Sequence, residues 1–490
     1  MPNWLYTFGY RSADGVGCAL QAKYQGGIYC ISSLDRALIT SLLSLGTLVG
    51  ALSGGVVADD CGRRGGVLFS LLLFLVGGSM QVFFTNIVGL IVGRVVAGLG
   101  VGSVSMLVPM YQAEAAPPQL RGAIVSCYQL SITLGIFGSQ VISSVTRSIE
   151  STASWRIPIG VQILWGLLLM GGTFALPESP RHLINQGKLT QGRRSLATMR
   201  GRAENSEIVT AEYKEILASI EAEKVIDQGS LLDCFRSRIM LKRTLCGVFA
   251  GAFQQLTGVN FVWYYSTQFF TQVGISEPYL ASVALSIVNV CMTAPGIMLV
   301  ERLGRRKLML SGALWMSMCQ LIIGAVSIGF DEGSSAAHSV LIAFTAFFVA
   351  GFASTWGCGT WVLISELYPL RLRGKAMSLA TASHWLWSWA VTFSVPYLTD
   401  PNELAMGSRI AFVWFVTTFM GAIWTFFCVP ETSGWSLEEL DEMFASGTPY
   451  RLTPDWKPST NSRALVDASF MVPHFENYSL EQTNNSYNTE

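Results

Sequence analysis

Three closely spaced amides, Gln254, Gln255 and Asn260, lie in the interior of one long apolar stretch. A buried amide left without partners costs about 1–3 kcal/mol by mutational estimates, so an apolar segment keeps such groups only where something satisfies them. An amide both donates and accepts hydrogen bonds, as sugar hydroxyls require, and an indole face covers the C–H face of a pyranose ring. Gln254 and Asn260 lie six residues apart, roughly 120° off one face of an ideal helix, and Gly258 between them is placed to loosen the turn and bring both to one ligand. Gln255 sits near the same side, and Tyr264 follows Asn260 by four, on its face. The competing occupant for each amide is a neighbouring helix, since interhelical hydrogen bonds are common and average about 0.6 kcal/mol.

Other chemistries are poorly served. The long apolar runs hold one charged residue, Arg94, which costs at least about 2.5–3.5 kcal/mol at that depth and needs an acceptor. Without a buried acid the runs do not suit a dication or polyamine. They offer no Ser/His/Asp set, no paired carboxylates and no His/Cys cluster at metal spacing, so neither an enzyme nor a metal or other cofactor is expected. The 10 cysteines are scattered, mostly as small apolar fillers. Cys18 and Cys30 pair only if their segment is extracellular. Lys+Arg 32 balances Asp+Glu 32, which leaves no global basic field for nucleic acid.

The elements that must position these residues are membrane helices. Hydrophobic residues are 51% of the 490 and charged residues 13%, about half the charged share of soluble domains near ~25%. A bilayer needs roughly 20 apolar residues per helix. Eleven runs qualify: 37–58, 65–84, 87–110, 123–145, 157–176, 244–268, 279–300, 308–328, 338–363, 376–398 and 410–429. They are continuously apolar and too long for barrel strands. One set of alternate connections holds 22 basic residues, the other only Arg147, Arg156 and Arg409. The basic side is the cytoplasm. The reading is an all-α multi-pass protein of the plasma membrane: an extracellular segment 1–36, five spans over 37–176, amphipathic cytoplasmic helices within 177–243, six spans over 244–429, and a cytoplasmic tail 430–490, disordered after Tyr450. The start of the chain does not read as a cleavable signal peptide.

Cytoplasmic motifs occur twice, as a duplicated bundle requires. Asp59-x-x-Gly62-Arg63-Arg64 returns 242 residues on as Glu301-x-x-Gly304-Arg305-Arg306. Glu114-x-x-Pro117-x-x-x-Arg121-Gly122 returns after 252 as Glu366-x-x-Pro369-x-x-x-Arg373-Gly374, with Arg371 beside it, and Pro177-Glu178-Ser179 returns after 253 as Pro430-Glu431-Thr432. Carboxylates and arginines at neighbouring helix ends suit a cytoplasmic gate whose bonds break when the halves rock apart. As mere topology-fixing surface pairs they would contribute about 0–1 kcal/mol each.

With Pro109-x-Tyr111, Pro177-Glu178-Ser179-Pro180-Arg181 and Gln254-Gln255-Leu256-Thr257-Gly258-Val259-Asn260, these motifs resemble the sugar porter family of the major facilitator superfamily over Ser41 to Phe444. The stretch from Pro430 to Glu439 is most similar to fungal hexose transporters and their sensor relatives. The resemblance implies two six-helix halves, a sugar at mid-membrane and alternating access. It also implies sugar contacts from Gln129, Asn289 and Trp361, and from His384-Trp385, where relatives carry Asn-Trp. Relatives have twelve spans, and Met1 to Gly9 resembles the segment after their first helix, so that helix is missing here. It is where proton-coupled relatives place an aspartate facing the arginine that matches Arg94. Coupling to protons therefore belongs to a full-length form.

Four functions follow from this reading: a hexose transporter, a sugar sensor signalling through its tail without flux, a truncated inactive or regulatory sugar porter, or, least supported, a membrane enzyme.

Overall fold

The computed structural model describes residues 2–12, 20–24, 27–117, 120–224, 230–272, 277–329, 335–400, 403–435 and 437–457. Helix α1 (Pro2–Phe8) precedes a three-stranded antiparallel sheet of β1 (Tyr10–Ser12), β2 (Leu20–Tyr24) and β3 (Gly27–Ile31), ordered β1-β3-β2. Then come α2 (Ser33–Phe83), α3 (Ile87–Ala115), α4 (Arg121–Thr146) and α5 (Ala153–Ala175). Four shorter helices follow: α6 (Pro180–Asn185), α7 (Leu189–Arg200), α8 (Glu207–Lys224) and α9 (Asp233–Arg236). The second half contains α10 (Arg238–Leu256), α11 (Val259–Gln272), α12 (Pro278–Arg302), α13 (Arg305–Gly329), α14 (Ser335–Ser354), α15 (Trp356–Glu366), α16 (Leu370–Thr399), α17 (Ile410–Cys428) and α18 (Leu437–Ala445).

Among the described residues, 9 helical stretches are long and apolar enough to cross a membrane. The apolar runs fall on these nine stretches and on α16, with α2 carrying two of them, and three of the stretches are broken. Gly62 (φ 79°) divides α2 into two limbs. Gly258 (φ 78°) separates α10 from α11, and Thr355 (φ −126°, ψ −81°) separates α14 from α15. The large apolar side chains left outside are mostly Leu, Phe, Val and Ile, with some Trp, Tyr and Met, as lipid contact requires.

Small residues set the closest packing. A Cβ on Gly50 would stand 2.2 Å from the Leu99 carbonyl oxygen, and one on Gly102 2.0 Å from that of Thr47. The backbones of α2 and α3 therefore touch. The halves meet where α4 lies on α12 and α16 on α2.

Outside the spans, Leu5, Phe8 and Ile31 form a small core with Ile39, Leu90 and Trp155, which seats the N-terminal cap on α2, α3 and α5. Cys30 is disulfide-bonded; Cys18 lies outside the described residues. Helices α6, α7 and α8 share a core of Ile184, Leu196, Val209, Ile216 and Ile220, so the central segment is packed helix rather than loose linker. The expected disorder after Tyr450 does not begin there. Tyr450–Asp455 forms a 3-10 turn, fixed by the Glu431 N–H donating to Thr453 Oγ1 (2.8 Å). Residues 458–490 lie outside the described residues.

Candidate functional site

A helix broken within a span frees carbonyls that water cannot satisfy. At the α10–α11 break, Leu256 O accepts from Thr417 Oγ1 and Thr257 O from Gln320 Nε2, both at 2.6 Å. At the α14–α15 break, Trp356 O accepts from Gln254 Nε2 at 3.0 Å. Gln254 thus ties one broken helix to the other. Next to it, Gln255 Nε2 approaches the His384 imidazole at 2.9 Å. That ring lies 5.0 Å from Trp361 and 5.0 Å from Trp385. Trp385 Nε1 donates across the halves to Ser105 Oγ (2.9 Å). Asn260 Nδ2 donates to Ser388 Oγ (2.8 Å), which sits 3.3 Å from Ser44 Oγ on α2. Gln129 approaches from α4, its Nε2 only 3.2 Å from where a Cβ on Gly357 would lie.

Gln129, Gln254, Gln255, Asn260, Trp361, His384 and Trp385 are therefore gathered around the two breaks. Asn289 on α12 is 1% exposed. Among the described residues, Gln254 Oε1, Gln255 Oε1 and both amide atoms of Asn289 are buried without a hydrogen-bond partner.

Tyr264 does not share the burial of Asn260: it is 45% exposed. Its neighbour Tyr265 makes the contact between halves. Its hydroxyl lies 2.9 Å from Thr40 Oγ1 and donates to Thr392 O at 2.9 Å, and the Arg36 guanidinium covers its ring at 5.1 Å. Ser33 Oγ donates to Asp400 Oδ2 (2.7 Å) in the same zone. Spacing within α11 could not find Tyr265, because the choice depends on where α2 crosses. Arg94 Nη1 donates to Ile39 O (2.9 Å), and its Nε has no partner. Among the described residues no carboxylate pairs with it.

At the other end the repeated motifs build two matching latches. Arg63 Nη2 is 3.0 Å from Glu114, which also accepts from Ser179 Oγ. The backbone N–H groups of Arg63 and Arg64 donate to Glu178 at 2.9 and 3.1 Å. In the second half Arg305 Nη2 is 2.8 Å from Glu366, which accepts from Thr432 Oγ1 (2.7 Å), and the N–H groups of Arg305 and Arg306 donate to Glu431 at 2.9 and 3.2 Å. The second arginine of each pair holds the end of a span, Arg64 through Thr173 O and Phe174 O, Arg306 through Val429 O and Phe426 O. Gly62 and Gly304 (φ 81°) are needed here, since a Cβ on either would stand within 2.5 Å of the Glu178 or Glu431 carboxylate.

These ion pairs close within each half, which differs from the expectation that they are themselves the bonds broken on opening. The halves meet instead where Gly122 on α4 abuts Glu301 and Arg305, and where Gly374 approaches Asp59 and Met110. Buried Arg373 donates to Tyr368 O (3.3 Å). Asp59 is 3.9 Å from Arg63 and half exposed. The side chains of Arg121 and Arg371 lie outside the described part of the structure.

A sequence model of the Sugar (and other) transporter family matches residues 6–444. A probable glucose transporter of Neurospora crassa is 38% identical over 95% of this chain and 78% of its own length. A major facilitator-type transporter of Aspergillus rugulosus is 36% identical over 96% of this chain and 86% of its own. The high glucose sensor of Saccharomyces cerevisiae is 38% identical over 88% of this chain, which spans 57% of that longer protein. The proton:xylose symporter bound to 6-bromo-6-deoxy-D-glucose superposes with a TM-score of 0.73 at 28% identity, covering 84% of this chain and 89% of that one. The inward-open form of the E. coli xylose transporter gives 0.65 at 26% identity, over 84% and 90%. Matched over nearly its whole described length, this largely helical multi-pass chain belongs to the sugar porter family of the major facilitator superfamily, a family of transporters and sensors rather than enzymes.

Proposed function

We propose that the chain carries a neutral hexose such as glucose across the plasma membrane by alternating access. In this reading five spans lie over 37–176 and six over 244–429, with the N-terminal cap outside and the tail inside. One observation supports the sugar most directly: Gln254 Oε1, Gln255 Oε1 and the Asn289 amide are buried with no protein partner among the described residues. Each such atom carries a desolvation penalty of about 1–3 kcal/mol. A polyol supplies hydroxyl donors to the oxygens and an acceptor to Asn289 Nδ2 while bringing no charge. Trp361 and Trp385 offer indole surface beside His384, the partner of Gln255. Contacts between the halves at both ends fit a closed state from which either side opens.

Radiolabelled glucose uptake in a cell lacking its own hexose transporters tests this: saturable flux is expected, and binding without flux would overturn it. That second outcome is the sensor reading, which the 38% identity to a glucose sensor keeps in view. Among the described residues Arg94 is held by a carbonyl and by no carboxylate, which supports uncoupled transport by this chain. An imposed proton gradient should then leave the uptake rate unchanged.

A further inference from the structure

The two latches differ at one position. In the second half the remaining nitrogen of the latch arginine, Arg305 Nη1, is 3.0 Å from Glu301 Oε2. In the first half Arg63 Nη1 instead lies 2.8 Å from His182 Nδ1, and the acid matching Glu301, Asp59, stands off at 3.9 Å. A guanidinium only donates, so Nδ1 accepts and the imidazole is neutral with its proton on Nε2. His182 is 6% exposed, and its Nε2 lies 3.2 Å from where a Cβ on Gly62 would be.

We propose that His182 is a pH-responsive positioning residue: neutral, it fixes Arg63 in the latch of the first half, and protonated by an acidified cytoplasm, it releases that latch while the other stays shut. A proton arriving at Nδ1 takes the lone pair that accepts from Arg63 and sets two cations side by side. The charged groups facing His182 are Arg63 and Asp59 on α2, Glu114 on α3 and Glu178 before α6. Glu114 and Glu178 are already engaged, by Arg63 with Ser179 and by two backbone N–H groups. They are poorly placed to neutralise an imidazolium. Burial, with Arg63 adding to it, holds the imidazole below its ordinary range. The sign follows: a histidine in an opened latch titrates near ~6.5 and in the closed latch lower. The closed latch is thus fully stable above that value and weakens as pH falls through the depressed one. Arg305, held by two carboxylates, has no such switch.

This rests on reading the clusters as latches of an alternating-access protein. The test is hydrogen–deuterium exchange on the full chain in lipid at symmetric pH 7.5 and 5.5, corrected for intrinsic rates. Residues 58–66 should lose protection severalfold at pH 5.5 while residues 300–308 do not change. His182→Gln, which keeps an acceptor for Arg63, should match the parent at pH 7.5 and lose the response. Equal behaviour of the two segments in the parent protein, or an undiminished response in His182→Gln, would overturn the proposal; should the variant not fold, the comparison of segments decides alone. Glucose counterflow at pH 7.5 reports on transport separately, so its failure is distinguishable from failure of the switch.

Discussion

Asn289 provides the cleanest probe of the sugar site, because neither of its amide atoms bonds to described protein. Asn289→Ala therefore breaks no hydrogen bond within the described protein, and removing one hydrogen bond to a bound sugar costs about 0.5–1.5 kcal/mol. Glucose affinity should fall roughly two- to twelvefold with thermal stability kept or raised; affinity unchanged in a binding titration removes Asn289 from the site. Gln254→Ala is a blunter test, since it also removes a donor to Trp356 O and mixes binding with the shape of α15. His384 puts a ring where the family resemblance implies an amide. The structure gives it a partner in Gln255, so His384→Asn is expected to act on sugar choice through how that amide is turned.

At the scale of elements, each latch depends on a glycine that no other residue replaces without strain. Gly304→Ala forces a Cβ into the left-handed region, which costs about 1–2 kcal/mol, and drives it into the Glu431 carboxylate. The protein should be destabilised by at least that amount in a thermal melt, whereas Gly329→Ala, with open space around the added methyl, should be nearly silent. The breaks themselves are partly legible in the sequence. Gly258 between two amides marks the first. The second falls at Thr355, a residue type that does not mark a break, and Trp356 beside it is held by Gln254 on its carbonyl and by its own Nε1 on Met309 O.

For the whole molecule, opening outward must separate α2 from α11 and α16. Tyr265→Phe removes the hydroxyl that spans Thr40 and Thr392, a change of about 0.5–1.5 kcal/mol in favour of the outward-open state. A cysteine placed by Ser44→Cys should then react faster with an impermeant maleimide from outside. An unchanged rate would show that this contact does not hold the outer side shut.

Periodicity, charge and repetition in the chain by themselves determined the helical membrane fold, the duplicated motifs and most of the amides that gather at the breaks. Those signals are local, set by residue spacing along a helix and by which residues tolerate lipid. Tertiary structure alone decided that Tyr265 rather than Tyr264 joins the halves, that each latch closes within its own half, and that His182 occupies the place a carboxylate takes in the other. Each of these depends on which distant segment crosses a given helix, and at what height, so no window of sequence contains it.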